Sequence, residues 1–318
     1  MTNDPAEGGR GATPEIETRQ IAVEEQLLQV AIRHGSGSGP PLLLFNGIGA
    51  NWELAKPFLE ALTSTTAIIF DVPGVGGSPR PLLPYRPSTL ARLAAGLVAE
   101  LGYTEIDVAG VSWGGGIAQQ FAHQYPKLCR RLVLAATAPG FTMVPASPSV
   151  LWKMATPRRY TDKTYLNGIA ADIYGGAFRD DPSLIGRHAA AMRGARKLGY
   201  LYQLLAMSGW TSLPWLWSLP QPTLVLMGRD DPLVPPINGH ILAGLIPNAE
   251  LQMIDDGHLF IVTQPAETAA LIEAFLADAS KRVDPSSPLS RLVGRVGSFI
   301  SAIGGHRDAQ AQHPARKS

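Results

Sequence analysis

Apolar positions along the chain follow two periods, one typical of buried strands and one typical of amphipathic helices. Short apolar runs are separated by segments in which apolar residues recur at three- and four-residue steps. Such alternation predicts an α/β fold, with a mostly parallel sheet and helices on both faces. Strands are predicted over residues 18–23, 27–33, 42–45, 67–70, 106–111, 131–136, 223–227 and 251–254, and helices over 52–62, 89–101, 114–125 and 266–279.

The alternation breaks in the middle of the chain and at both ends. Residues 140–220 contain aromatic-rich helical stretches and no convincing strand, which predicts a helical cap inserted into a core made of 17–139 and 221–280. Residues 1–16 are predicted to form a flexible leader. Residues 281–318 form a tail in which apolar residues recur at helical steps over 289–303, so an amphipathic helix is expected there.

Composition and charge narrow the class of protein. Of 318 residues, 45% are hydrophobic, enough to bury a large core, and 27 Lys and Arg against 26 Asp and Glu supply no global field for nucleic acid or an anionic membrane. The polar, acidic start does not resemble a signal peptide, and no apolar stretch approaches the roughly 18 residues of a membrane span. Cys129 is the single cysteine, so no intramolecular disulfide can form. A soluble cytoplasmic protein is expected.

A serine follows the predicted strand 106–111 in a pattern that carries chemistry. Gly110-Val111-Ser112-Trp113-Gly114 fits GxSxG, in which a serine occupies a sharp turn between a strand and a helix. The pattern alone is weak in a chain with 33 glycines, but the strand before it and the helical pattern after it supply the required context. Ser112 is therefore the predicted nucleophile, and an ordinary turn serine is the alternative.

A serine nucleophile needs a base and a carboxylate that orients the base, and with this elbow they follow in the order acid, histidine. Of seven histidines, His258 lies just beyond the last predicted strand and is the predicted base. Asp230 and Asp231 follow the strand before it. Asp231, directly before a proline, is favoured as the acid, because that loop position turns its carboxylate towards the sheet. Asp230, Asp255 and Asp256 would then be solvated or would cap local turns.

Ester hydrolysis also needs donors for the oxyanion. The backbone amide of Trp113, directly after the nucleophile, is one candidate, and the amide of Ile48 in the Asn-Gly-Ile-Gly loop 46–49 is the other. An ordinary glycine turn is the alternative for that loop. The glycine-rich segment 71–78 lacks the phosphate-binding lysine pattern and is predicted to be a structural loop. No Cys or His cluster has metal-ligand spacing, so no metal or other cofactor is implied.

Seven segments of the chain carry a family resemblance: FNGIGAN from Phe45, DVPGVGGS from Asp71, GVSWGG from Gly110, LVLAATAPG from Leu132, IYGG from Ile173, GRDDPLVP from Gly228 and IDDGHLF from Ile254. Together they resemble the intracellular depolymerases of medium-chain-length polyhydroxyalkanoates, within the α/β-hydrolase superfamily. The resemblance spans nearly all of residues 18–279. It implies hydrolysis of poly(3-hydroxyalkanoate) to 3-hydroxy fatty acids inside the cell, at storage granules, with Ser112, Asp231 and His258 at the positions of the family's triad.

Two other functions remain open at this point. The same triad would serve a hydrolase of small soluble esters, thioesters or a carbon–carbon bond, and a granule-coating protein would keep the fold without catalysis. Four of the six tryptophans lie in the predicted cap, where they either form an apolar entrance for polymer or pack the cap onto the sheet. These candidate substrate-binding residues are Trp152, Trp210, Trp215 and Trp217. The tail helix would either lie on a granule or pack against the protein.

Overall fold

The computed structural model describes residues 15–154, 158, 162–181, 183–186 and 197–281. The predicted tail helix over 289–303 and nearly all of the predicted leader lie outside these residues, and both stay predictions.

One sheet of eight strands organises the chain, in the order β1-β2-β4-β3-β5-β6-β7-β8. The β1–β2 hairpin is antiparallel, β2 pairs antiparallel with β4, and the remaining neighbours are parallel. The predicted fold class is thereby confirmed. The strands are β1 Ile16–Val23, β2 Gln26–Arg33, β3 Leu42–Phe45, β4 Ala67–Phe70, β5 Ile106–Val111, β6 Cys129–Ala135, β7 Thr223–Gly228 and β8 Ala249–Ile254.

Helices connect the parallel strands and fill the segment between β6 and β7. They are α1 Lys56–Ala61, α2 Pro87–Glu100, α3 Trp113–Gln124, α4 Pro148–Met154, α5 Lys163–Tyr174, α6 Ala177–Asp180, α7 Lys197–Met207, α8 Ile237–Leu245, α9 Phe260–Thr263 and α10 Pro265–Ala277. The helix predicted over 52–62 is present but divided, because a short 3₁₀ helix, Trp52–Ala55, directly precedes α1. Pro57 lies in the first turn of α1, where its missing N–H is tolerated, whereas in the interior of one continuous helix it would remove a hydrogen bond.

The sheet is buried on both faces, and the short central strand β3 shows how. Its four residues are all buried, and successive side chains enter different hydrophobic clusters. Leu43 and Phe45 pack into one cluster, and Leu42 and Leu44 pack into the other. This two-residue alternation explains why the strand is uniformly apolar, since each face meets a layer of helices.

The segment between β6 and β7 forms a helical layer with a small core of its own. Val150, Leu166, Ile169, Ile173 and Phe178 belong to this core, which joins α4, α5 and α6. An isolated bridge between Gly140 and Thr211 brings the two ends of the segment together. None of the described helices is long and apolar enough to cross a membrane.

Glu273 on α10 hydrogen-bonds to the loop that follows α1. Its Oε1 accepts the backbone N–H groups of Thr63, Ser64 and Thr65 at 3.0, 2.7 and 2.8 Å. Burial raises the pKa of this carboxyl, but these bonds and those from the neighbouring hydroxyls outweigh it and lower the pKa to about 2. The ionised form therefore stabilises the fold above the ordinary value of 4.5, and that contribution fades as the pH falls towards 2.

Glu273→Gln is expected to lower the free energy of unfolding at neutral pH by about 1–3 kcal/mol, because the amide keeps the shape and loses the charge. Urea unfolding at about pH 7 and about pH 3.5 measures the effect. The gap between the variant and the wild type should narrow at the lower pH. A gap that stays constant, or that widens in acid, would contradict this account of the carboxylate.

Candidate active site

Ser112 occupies the turn between β5 and α3. The strand ends at Val111 and the helix begins at Trp113, so the turn is a single residue with φ 54° and ψ −119°. A non-glycine residue rarely adopts a positive φ, and the strain is sustained only where the surroundings impose it. Two glycines allow the close packing that does so. A Cβ on Gly110 would lie 2.6 Å from the Cβ of Ala118, and one on Gly114 would lie 2.2 Å from the carbonyl oxygen of Phe45.

The structure brings together the three side chains predicted to form the triad. The Nε2 atom of His258 lies 3.0 Å from Oγ of Ser112, and its Nδ1 lies 2.8 Å from Oδ2 of Asp231. His258 and Asp231 are only 3% and 4% exposed. The other oxygen of Asp231 accepts the backbone N–H groups of Leu233 and Val234 at 2.9 and 2.8 Å, which fixes the carboxylate. The arrangement can draw a proton from the serine while holding the imidazole in one tautomer.

The neighbouring aspartates do not all behave as the sequence suggested. Asp255 is exposed, as expected of a solvated residue. Asp256 is buried and accepts the N–H groups of Ala177 and Gly257 at 2.8 and 2.6 Å, so it reaches the helical layer as well as a local turn. Asp230 accepts the N–H of Gly176 at 2.8 Å and pairs with Arg179. Asp230 is thus partly solvated, at 46% side-chain exposure, and Asp256 accepts a local turn N–H, as expected. The additional contacts of both residues with the helical layer were not expected from the sequence.

These contacts exist because the segment after α5 runs between two loops. One follows β7 and carries Asp231, and the other follows β8 and carries His258. Gly175 and Gly176 have φ of +65° and +47°, and a Cβ on either would lie 2.0 Å from a backbone atom of the two loops. The carbonyl of Tyr174 accepts the backbone N–H of His258 at 2.6 Å. The helical layer thus contacts the backbone of His258 directly. In the sequence, the signal for this close approach is a pair of consecutive glycines at the end of a helical pattern.

The loop after β3 lies against Ser112. A Cβ on Gly47 would lie 3.8 Å from the Cβ of Ser112. The side chain of Asn46 shapes the loop by accepting the N–H of Gly47 at 2.9 Å and donating to the carbonyl of Asn51 at 2.9 Å. Ile48, one of the two predicted oxyanion donors, lines both cavities that Ser112 lines. Trp113, the other predicted donor, is the first residue of α3. Both residues are therefore adjacent to the serine, and their role as donors stays a prediction.

The glycine-rich segment 71–78 contacts the chain directly after the loop that follows β3. Asp71 is buried and accepts the N–H groups of Trp52 and Gly77 at 2.7 and 2.8 Å. Burial raises its pKa to about 6 against the opposing effect of these two bonds. The segment thus ties the start of the 3₁₀ helix to the end of β4, a structural contact of the kind expected from the sequence.

Two cavities meet at Ser112. The larger, of about 510 Å³, is lined mainly by apolar side chains, and the smaller, of about 70 Å³, lies between the loop 46–49 and His258. The side chains that dominate the larger cavity are Phe141, Met143, Leu151, Met154, Leu204, Met207, Trp210 and Leu233. The side chain of Ser112 is therefore accessible to a molecule that extends into both spaces.

The four tryptophans considered as substrate-binding residues occupy different surroundings. Trp210 lines the larger cavity, and its indole N–H donates to Oε1 of Gln120 at 2.8 Å. Trp215 stacks on the imidazole of His123 with ring centroids 4.3 Å apart, which is a packing contact. Trp217 donates to the carbonyl of Pro214, and Trp152 is 81% exposed. Of these four residues, the structure places Trp210 on the cavity.

Comparisons with known proteins agree on the fold and indicate a family. A family model described as the alpha/beta hydrolase fold matches residues 40–265. The poly(3-hydroxyalkanoate) depolymerase of Ectopseudomonas oleovorans is 52% identical over 265 residues, which cover 83% of this chain and 94% of that protein. The 2-hydroxymuconate semialdehyde hydrolase of Pseudomonas putida is 31% identical, over 77% of this chain and 90% of that protein. The enol-lactonase of Burkholderia xenovorans LB400 superposes with a TM-score of 0.71 at 20% identity, over 82% of this chain and 100% of that chain.

Proposed function

Because the chain belongs to the α/β-hydrolase family and, within it, groups with the poly(3-hydroxyalkanoate) depolymerases, we propose that it hydrolyses poly(3-hydroxyalkanoate) to 3-hydroxy acids. The observation that carries the proposal is the hydrogen-bonded series Ser112–His258–Asp231, at 3.0 and 2.8 Å, which opens onto an apolar cavity of about 510 Å³. Each unit of such a polyester carries an alkyl side chain, and an apolar space beside the nucleophile suits it.

In the first half of the reaction, Oγ of Ser112 attacks an ester carbonyl while Nε2 of His258 takes the hydroxyl proton. The negative charge that develops on the carbonyl oxygen faces the N–H groups of Ile48 and Trp113. When the tetrahedral intermediate collapses, the bond to the ester oxygen breaks and His258 returns the proton to that oxygen. The leaving chain departs with a free hydroxyl group, and the acyl group remains on Ser112.

In the second half, water attacks the acyl-enzyme while His258 again accepts a proton. Collapse of the second intermediate returns that proton to Oγ of Ser112 and releases a carboxylic acid that carries a 3-hydroxyl group. Asp231 keeps its contact with Nδ1 throughout, which holds the imidazole in position and stabilises its charged form. No step requires a metal or a redox partner.

The larger cavity provides a physical basis for binding alkyl side chains. Each methylene transferred from water to such a lining contributes about 0.8 kcal/mol. Polyester units with longer side chains should therefore bind more tightly until the cavity is filled. The same triad would also cleave small soluble esters, thioesters or a carbon–carbon bond, so the comparison of a polymer with a small substrate is the discriminating experiment.

We also propose that the mouth of this cavity rests on the surface of a storage granule. Phe141, Leu151 and Leu204 line the cavity and are also exposed to solvent. Trp152 follows Leu151 on α4 and is exposed too, and these four residues are named the rim. Contiguous exposed apolar residues mark interaction surfaces more often than chance. Because the rim continues into the cavity beside Ser112, an apolar polymer surface is the occupant that fits both.

Trp152→Gln is expected to lower the hydrolysis of granules about tenfold, because about 1.5 kcal/mol of apolar contact with the polymer is lost. The turnover of a small soluble ester and the melting temperature should stay unchanged, since the side chain is 81% exposed. Both rates are measured on the same preparation. Leu245→Gln is the matched control, because Leu245 is an exposed apolar residue on α8, outside the rim. Equal losses on granules and on soluble ester would oppose the docking role.

A further inference from the structure

Gln203 joins the helical layer to both sides of the nucleophile. It lies on α7 and is fully buried. Its Oε1 accepts the backbone N–H of Gly49 at 2.7 Å, and its own carbonyl accepts the indole N–H of Trp113 at 2.9 Å. Gly49 directly follows Ile48, so the two contacts reach the neighbour of one candidate oxyanion donor and the side chain of the other.

We propose that Gln203 is a positioning residue that holds both halves of the oxyanion hole, an inference that rests on the function proposed above. The peptide plane between Ile48 and Gly49 is rigid, so a fixed Gly49 N–H also fixes the orientation of the Ile48 carbonyl. The backbone N–H of Ile48 belongs to the preceding peptide plane, and only the φ and ψ angles of Ile48 separate that plane from the fixed one. On the other side, the bond from the indole of Trp113 anchors the first residue of α3, whose backbone amide is the second donor.

The approach of α7 to this loop depends on a glycine one turn before Gln203. A Cβ on Gly199 would lie 2.1 Å from the carbonyl oxygen of Gly74, so only the absence of a side chain permits the contact. Residues four apart share a helix face, and Gly199 and Gln203 are so spaced. Close packing of Gly199 on the segment 71–78 therefore brings Gln203 down to Gly49.

The amide nitrogen of the same side chain gives a way to separate positioning from packing. Among the described residues, Nε2 of Gln203 is buried without a hydrogen-bond partner. An apolar replacement of equal length removes this unsatisfied donor together with the bond to Gly49, so the two effects on stability oppose each other. The loss of the bond to Gly49 should still displace the oxyanion donors, and removal of the unsatisfied donor does not offset that effect on the reaction rate.

Gln203→Met is expected to lower kcat on a soluble alkyl ester about tenfold to a hundredfold, with KM within about twofold, because misplaced donors stabilise the transition state less. The inhibition constant of an alkyl trifluoromethyl ketone should rise by a similar factor, since its adduct with Ser112 places an oxyanion in the hole. Gln203→Glu, which keeps an acceptor for the Gly49 N–H, should recover part of the loss.

The matched control is Gln221→Met. Gln221 is equally buried and donates to the carbonyl of Ala122 at 3.1 Å, but it lines neither cavity at the nucleophile. The Gln221→Met variant should change the melting temperature and leave kcat and the affinity for the ketone intact. Wild-type kcat and ketone affinity in Gln203→Met, while Ser112→Ala is inactive, would overturn the positioning role and leave the proposed function standing.

If Gln203→Met does not fold, Trp113→Phe tests the other contact, because it removes the indole N–H and keeps the backbone amide. A fall in kcat with weaker ketone binding supports the proposal, and unchanged values for both overturn it. Failure of the proposed function has a different signature, namely a wild-type protein that neither turns over esters nor binds the ketone.

Discussion

Replacement of Ser112 by alanine is expected to lower kcat on a soluble medium-chain ester by a factor on the order of a million. In the proposed mechanism this hydroxyl forms the acyl-enzyme, and no other serine hydroxyl lies within hydrogen-bond distance of His258 in the part of the chain that the structure describes. His258→Ala should lose about as much. The double variant should lose little more than either single variant, because the two groups act as one unit.

Initial rates with a chromogenic ester and labelling by a fluorophosphonate provide the measurement. The wild type should be labelled, and Ser112→Ala should not. Ser36→Ala is a control for the substitution itself, since Ser36 is exposed in the loop before β3. A rate within tenfold of the wild type for Ser112→Ala would refute the proposed mechanism.

Asp231→Asn is expected to slow the reaction by about ten-thousandfold, whereas Asp230→Asn should retain most of the activity. The amide that replaces Asp231 can present an N–H to Nδ1 of His258 and so favours the wrong tautomer. The contacts of Asp230 are instead with Gly176 and Arg179, in the helical layer. Its replacement should mainly affect how that layer is held.

The two adjacent aspartates are matched controls for each other, because each variant exchanges one oxygen for a nitrogen in the same loop. Initial rates and melting temperatures are compared for both. A ranking in which Asp230→Asn is the slower enzyme would assign the acid to Asp230 and contradict the geometry at His258.

Local pattern was sufficient to predict most of the sheet. The pattern predicts β3 with the bounds Leu42–Phe45 that the structure has, because four apolar residues follow a loop rich in Gly, Ser and Pro. The sequence pattern places the start of β1 at residue 18, two residues after the Ile16 at which the strand begins. Its first residues alternate weakly, since β1 is an edge strand with most of its side chains exposed, and Glu17 and Arg19 obscure the pattern.

The order of serine, acid and histidine, and their placement after strand ends, were likewise readable from the sequence. The contacts that support them were not. Gln203 contacts Gly49 across 154 positions of the sequence, and Asp256 contacts Ala177 across 79. Contacts between such distant positions produce no periodic pattern in the local sequence. The aromatic residues of the predicted cap likewise do not reveal from the sequence which of them line a cavity. Trp210 and Trp215 are close in the sequence, yet one lines the cavity and the other stacks on His123.

Release of 3-hydroxy acids from native medium-chain polyester granules tests the central claim most directly. Purified wild-type protein and Ser112→Ala are incubated with granules, bound protein is measured by co-sedimentation, and the liberated acids are quantified. We expect both proteins to bind equally and only the wild type to release 3-hydroxy acids. A wild-type protein that cleaves small soluble esters and releases no acid from bound granules would contradict the account and assign the triad to small substrates.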